Sequence, residues 1–309
     1  MSISLESPNT HGPITPNTIQ RAKEGLCDAQ NPQIKQAIQQ GLNELETVAE
    51  GTFQRPMNGH LRRLILRSLI HSLFRVRVEY PERTPHSPVI LVANHLNHID
   101  PFLLLSETSA SPYFHILGDA RTLYNKWWKR SILGIFGGVI PLVRRWGEET
   151  AIIEAAKGEN QELKPLADAI EENVPSGESI KILRQINKTV QVILEQRQGL
   201  MLFPEGRLGK TEGKLSVPLK RGTAIYALRS GVPVVPVALI GTKNLYFRKT
   251  LTLRFGEPLS FPQVKHPKRQ DIDTALATLE EALMELLPSD YQEPDELKLF
   301  SHFLNHFFC

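Results

Sequence analysis

Apolar positions along this chain switch between two periods. From about residue 88, short unbroken apolar runs alternate with stretches at helical spacing. Val89-Ile90-Leu91-Val92-Ala93 carries no polar residue, the pattern of a strand covered on both faces. Tyr113–Leu117, Gly138–Val143, Leu200–Phe203, Val232–Ile240 and Leu251–Phe255 read as further strands. Helices are predicted from Pro101 onward and across Leu183, Ile186, Val190 and Ile193, the latter with Gly199 as its stop signal. Another covers Gly222–Ser230 before Gly231, and a last one covers Ile272–Leu287. Strand and helix in alternation predict an α/β fold, a mostly parallel central sheet flanked by helices.

The first part of the chain follows a different rhythm, that of a helical N-terminal extension. Residues 1–30 are rich in Pro, Asn, Thr and Ser and predict a loose start. Asn31-Pro32 then opens a helix with Ile34, Ile38, Leu42, Leu45 and Val48 on one face. A second helical segment over 59–75 interleaves Leu61, Leu64, Ile65, Ile70, Leu73 and Phe74 with Arg62, Arg63, Arg67 and Arg75. Such a helix either lies on a membrane surface or packs on the core. Residues 147–178 are acidic, from Glu148 and Glu149 to Glu178, and read as a solvated helical insertion or, alternatively, a lid. The tail carries Leu297, Phe300, Phe303, Leu304, Phe307 and Phe308 at helical spacing, for docking on the core or on a membrane interface. The expected organisation is an extension over 1–58, a main domain over 59–288 holding the insertion, and an amphipathic tail over 289–309.

Composition narrows the classes. At 309 residues, with 41% hydrophobic and 22% charged, the chain has the make-up of a folded globular protein. A net charge of +3 favours acidic partners such as phosphates or anionic lipid and is too small to argue nucleic acid. Cys27 and Cys309 offer neither a disulfide framework nor metal-ligand spacing, which points to a reducing compartment. No apolar run suffices to span a bilayer and the N-terminus lacks a signal-peptide core. The expected place is therefore peripheral on the cytoplasmic face of a membrane, or soluble.

The strand at 89–93 delivers Asn94 and His95 to its C-terminal end, where open α/β sheets bind ligands. Asp100 follows five residues after His95. Asp100-Pro101 has the form of a helix N-cap with proline at the first helical position. A carboxylate beside His95 would also fix the imidazole tautomer and stabilise the imidazolium formed when the ring takes a proton. His95, His98 and Asp100 could instead be metal ligands, but no further His/Cys cluster supports that, and no metal is expected. With no Gly-x-Ser-x-Gly elbow and no candidate catalytic cysteine, direct attack by a substrate hydroxyl activated by His95 fits better than a covalent intermediate.

Downstream, Phe203-Pro204-Glu205-Gly206-Arg207 ends another strand. Gly209-Lys210-Thr211 mimics the close of a P-loop, but Pro204 stands where that motif needs its first glycine. Arg144, after the 138–143 strand, and Arg207 both follow strand ends that would converge on one rim, and their forks suit phosphate oxygens.

Taken together, these strings resemble the glycerophospholipid acyltransferase family, which includes the 1-acylglycerol-3-phosphate acyltransferases. Its four blocks are matched in order by Asn94-His95-x4-Asp100, Gly138-x5-Arg144, Phe203-Pro204-Glu205-Gly206 and Val235-Pro236-Val237, over about residues 60–260. The resemblance implies an O-acyltransferase in phospholipid biosynthesis. His95 would be the base, Asp100 its orienting acid, and Arg144, Glu205, Gly206 and Arg207 would help position a phosphate-bearing acceptor. It also implies acyl-coenzyme A or acyl carrier protein as donor substrate, no other cofactor, and a membrane surface as partner. One departure stands out: the third block often continues Thr-Arg-Ser in the family, and here it continues Arg207-Leu208-Gly209. That shift touches the acceptor's identity more than the reaction type. Glycerol-3-phosphate, a lysophospholipid or an amino-acid lipid remains open as acceptor, as does a non-catalytic lipid-binding protein of the same fold.

Overall fold

Polar side chains open the first helices. Thr15 and Thr18 exchange side-chain and backbone hydrogen bonds ahead of Pro16, starting α1 (Pro16–Gln30). Asn31 Oδ1 accepts the N–H groups of Gln33 and Ile34 and starts α2 (Pro32–Ala49). Asn58 does the same for α3 (Gly59–Leu73) through His60 N–H. The chain continues through β1 (Arg75–Glu79), β2 (Ile90–Ala93), α4 (Asp100–Glu107), β3 (Phe114–Asp119), α5 (Ala120–Tyr124), α6 (Trp127–Phe136) and β4 (Val139–Leu142). Then come α7 (Gly147–Lys157), α8 (Lys164–Asn173), α9 (Ile180–Glu195), β5 (Gly199–Leu202), α10 (Arg221–Ser230), β6 (Val234–Ile240), β7 (Thr250–Phe255), α11 (Arg269–Leu286) and α12 (Ser301–Phe308). The computed structural model describes residues 14–50, 52, 57–83, 86, 88–158, 160–175 and 180–308, with 49 and 180–183 described by backbone alone.

The seven strands form one sheet in the order β1-β7-β6-β2-β5-β3-β4. β2 pairs in parallel with β5 and β6, β3 with β5, and β1 with β7, while β6 and β7 run antiparallel. This is the α/β architecture expected from the alternation, with β2 at the centre and every one of its side chains buried. Leu91, Ala93, Met201, Val235 and Val237 pack with Leu103, Leu104 and Leu251 in the main core.

The elements gather into two compact units. One comprises residues within 1–43, 118–131 and 141–184; the other comprises 44–117, 132–140 and 185–309. The second, the sheet unit, holds β1, β2, β5, β6 and β7 whole. The first has its own core, built by Ala22 of α1, Ile152 and Ile153 of α7, and Ala167 and Ile170 of α8. Arg121 stitches that unit by donating to Glu149, to Gly25 O at 2.9 Å and to Arg144 O at 3.0 Å.

Four local expectations are corrected. The acidic stretch does form helices, but α7 and α8 are solvated only on their outer faces, because their apolar residues supply the core of the first unit. α1 was not foreseen. Nor was β1, where Arg75-Val-Arg-Val-Glu alternates at period two on a sheet edge instead of extending the preceding helix. Gly199 does not stop α9: Arg197 takes the left-handed turn at φ 58°, and Gly199 opens β5, where a Cβ would lie 2.4 Å from the Phe114 ring. The loose start falls on residues 1–13, outside the described residues, as do Glu159, Glu178 and the Leu183 side chain.

Candidate active site

The site is built where β2 ends. Asn94, 1% exposed, continues the sheet with its side chain: Oδ1 accepts Leu239 N–H at 2.7 Å and Nδ2 donates to Leu239 O at 2.9 Å. That clamp on β6 fixes the residue immediately before His95. The His95 ring stacks on Phe203 at 4.3 Å, and its Nδ1 lies 2.9 Å from Asp100 Oδ2. The same Oδ2 accepts Leu96 N–H at 2.6 Å and Asn97 N–H at 2.9 Å. Asp100 therefore does not cap α4; it sits in that helix's first turn with its carboxylate folded back over the 95–97 turn. Three contacts thus converge on one oxygen of a side chain that is wholly buried. Nδ1–H is thus committed to the carboxylate, and Nε2 is left with its lone pair on a ring that is 16% exposed. The arrangement can remove a proton from a hydroxyl presented at Nε2 and stabilise the resulting imidazolium.

Glu205, 2% exposed, ties the two motif loops together. Its Oε1 accepts His95 N–H at 2.7 Å and its Oε2 accepts Ser216 N–H at 2.8 Å. Gly209 N–H returns to His95 O at 2.6 Å, and Lys243 Nζ holds Gly209 O at 3.0 Å. The backbone of His95 is thereby gripped on both its N–H and its C=O by the loop after β5. Gly206 turns at φ 65°, where a Cβ would press on the Lys220 stem at 2.9 Å, so this turn requires glycine. Close by, burial pushes the Glu212 carboxyl up, against N–H donation from Gly241 and Lys243.

His95, Asp100, Glu205, Gly206 and Arg207 all lie in the sheet unit; the contacts above join the first three, and Gly206 and Arg207 follow Glu205 on its turn, Arg207 exposed. Arg144 belongs to the other unit, with Nε 3.7 Å from Asp119 Oδ2. His98 stands edge-on to His95 with ring centres 6.1 Å apart. Among the described residues no three His, Cys, Asp or Glu side chains are grouped to hold a metal ion. Sequence reasoning missed the ring stacking of Phe203 and the clamp of Asn94; both residues sit inside the quoted motifs, the only signal available for them. A cleft of about 650 Å³ lined by Met57, His60, Tyr113 and Arg197 opens at the opposite edge, before β3 and β5.

A mostly parallel sheet thus presents the Asp100-held His95 at the end of its central strand, an arrangement able to take a proton from a hydroxyl. The chain belongs to the acyltransferase family, whose sequence model matches residues 75–240. It is similar to a 1-acyl-sn-glycerol-3-phosphate acyltransferase of Limnanthes douglasii, 35% identical over 72 residues, or 23% of this chain and 25% of that one. A chloroplastic enzyme of the same name from Brassica napus is 24% identical over 195 residues, 62% of this chain and 45% of the other. The chain thus spans between a quarter and about half of the curated relatives it matches. The crystal structure of the 1-acyl-sn-glycerophosphate acyltransferase PlsC from Thermotoga maritima aligns with a TM-score of 0.41 at 17% identity, covering 89% of each chain.

Proposed function

We propose that this protein moves a fatty acyl chain from a thioester donor to the free hydroxyl of 1-acylglycerol-3-phosphate at a membrane surface. The observation that carries the reading is the 2.9 Å contact between His95 Nδ1 and a buried Asp100, within the region that the family's model matches. His95 Nε2 takes the hydroxyl proton as the oxygen attacks the thioester carbonyl. The tetrahedral intermediate collapses with cleavage of the C–S bond, and the imidazolium returns the proton to the departing thiolate. The products are an ester and a free thiol. Acyl-coenzyme A and acyl carrier protein are the donors of this chemistry, and no further cofactor enters it. The acceptor is suggested by the names of the relatives and by Arg207, a cation exposed on the Glu205 turn; Arg144 closes its own motif after β4. Glu205 serves acceptor placement indirectly, since its oxygens face backbone N–H groups and a carboxylate repels phosphate. Among the described residues no helix is long and apolar enough to cross a membrane. The lipid is met from the surface in this reading.

Purified protein offered both donors against 1-acylglycerol-3-phosphate, glycerol-3-phosphate and a lysophospholipid, with products read by mass spectrometry, tests the proposal. A diacylated glycerol phosphate and equimolar free thiol are expected. Thioester loss at the same rate without any acceptor would refute it. Replacing Arg207 with alanine should raise KM for the phosphate-bearing acceptor about tenfold, the worth of one exposed charge-assisted contact, with kcat changed little. An unchanged KM would remove Arg207 from the acceptor site.

A further inference from the structure

The cleft of about 650 Å³ at the sheet edge away from His95 lies wholly within the sheet unit. Its walls are the start of α3, the 110–113 loop before β3, and the turn from α9 into β5. A Cβ on Gly59 would lie 2.6 Å from Ala110 O, so glycine lets α3 begin against that loop. Arg197 ends α9 in the left-handed region at φ 58°, with its N–H on Leu194 O at 3.1 Å and Gln198 N–H on Ile193 O at 3.0 Å. Glycine fills such a helix stop without strain, and an arginine there costs stability. A cation suits the C-terminal end of a helix, but position 195 or 196 would supply it with no left-handed backbone, and Glu and Gln stand there. The turn itself therefore does not ask for a guanidinium. This one lines the cleft with no hydrogen-bond or ion-pair partner among the described residues.

The charge around the cleft has one sign. None of the described residues lining it is acidic. The acids nearest along the chain are engaged elsewhere, Glu195 by Gln191 Nε2 at 2.8 Å and Glu107 by Arg67 and His71 of α3. The Arg62 guanidinium stacks on the Tyr113 ring at 3.7 Å and puts positive charge behind that wall. α3 begins at the cleft, so the positive end of its dipole lies there, and Asn58, Ser111 and the His60 ring add polar groups. We propose that this cleft binds a phosphomonoester group, with Arg197 as its fork and the first turn of α3 as its second support. A planar carboxylate is satisfied by one fork, whereas a tetrahedral dianion accepts from two walls at once. The volume far exceeds one phosphate, so the group arrives on a larger molecule, a free organic phosphate or a lipid headgroup. This binding stands apart from the chemistry at His95 and does not depend on the acyltransferase reading.

The test follows the His60 ring of the full chain by proton–carbon correlation NMR at fixed pH and ionic strength, the signal being assigned by its loss in His60→Gln. Inorganic phosphate and phenyl phosphate should each move the wild-type signal saturably. Dihexanoyl phosphatidic acid, used below its micelle concentration, separates the two sources: saturation at lower concentration than phenyl phosphate assigns a lipid headgroup, and at higher concentration a free organic phosphate. Arg197→Gly should weaken every titration at least about tenfold, with a urea midpoint no lower than wild type's, because glycine suits the left-handed turn. Arg207→Ala, at the opposite edge, should leave the titrations unchanged. The absence of a saturable shift overturns the proposal, as does an Arg197→Gly protein that titrates like wild type. A lower urea midpoint in that variant also overturns it, since Arg197 would then serve the turn. So does an equal response to acetate, or loss of the response in Arg207→Ala, which would place the phosphate at the His95 edge. A wild type that transfers no acyl chain yet shows the titration defeats the acyltransferase reading and leaves this one standing.

Discussion

Replacing His95 with alanine is expected to lower the rate of the proposed acyl transfer by about 10³-fold with the fold intact, because general-base assistance of this kind contributes roughly 10²–10⁴. The size follows from what remains. Without the imidazole no described group takes over its contact with Asp100, and the attacking hydroxyl must lose its proton to solvent. Stability should fall by about 1–3 kcal/mol, for the lost Asp100 contact and Phe203 stacking, while the backbone contacts of residue 95 persist. Asp100→Asn separates the two contributions of the pair. All three N–H donors converge on Oδ2, while Oδ1 is buried without a hydrogen-bond partner. An asparagine can therefore keep its oxygen at the Oδ2 position and hold the tautomer, losing only the charge that stabilises the imidazolium and burying an unpaired amide at the Oδ1 position. The expected loss is smaller than for His95→Ala, about 10–10²-fold, with stability reduced by about 1–3 kcal/mol. Rates with labelled acyl thioester and urea melts of both variants check this. A His95→Ala protein that is folded and fully active ends the mechanism.

The sheet was legible because buried parallel strands leave unbroken apolar runs: Val89–Ala93 could hardly be anything else once helices flanked it. β1 was not, because an edge strand needs only one covered face, and its two valines between arginines are too few to outweigh the helical stretch before them. α1 hid behind prolines and threonines that read as a loose start, though Thr15, Pro16 and Thr18 are the chemistry of a helix opening. Within the site, the reach from His95 to Asp100 was readable from spacing, since both flank one turn. What their side chains do was only half readable. Asp100-Pro101 has the letters of an N-cap, yet its carboxylate points back to the 95–97 turn, and only the fold decides which amide groups converge on it. Contacts 110 residues apart in sequence, such as that of Glu205 with His95 N–H, leave no local trace. The motif marked Glu205 as important and gave no hint that its partner is backbone.

Glu205→Gln should be the more damaging change to the frame of the site, although the side chain keeps its shape. Each carboxylate oxygen accepts one backbone N–H, from His95 at 2.7 Å and from Ser216 at 2.8 Å. A glutamine has one oxygen and one NH₂ group, so in either orientation a buried N–H faces another donor. The cost is one charge-assisted bond plus an unsatisfied donor, about 2–4 kcal/mol by urea denaturation. Aspartate does not rescue it, because a shorter stem cannot reach both loops. The kinetic signature follows from which atom is released. Freeing His95 N–H lets the base drift from the geometry that Asp100 and Phe203 hold, and displacements of about 1 Å can cost about 10²-fold. The fall should appear in kcat, with KM for the acceptor changed less than threefold or so, in contrast to Arg207→Ala, where KM moves and kcat does not. A Glu205→Gln protein whose KM for 1-acylglycerol-3-phosphate rises while kcat holds would mean that the carboxylate contacts the acceptor itself, and that the loop-to-loop bonds are incidental to catalysis.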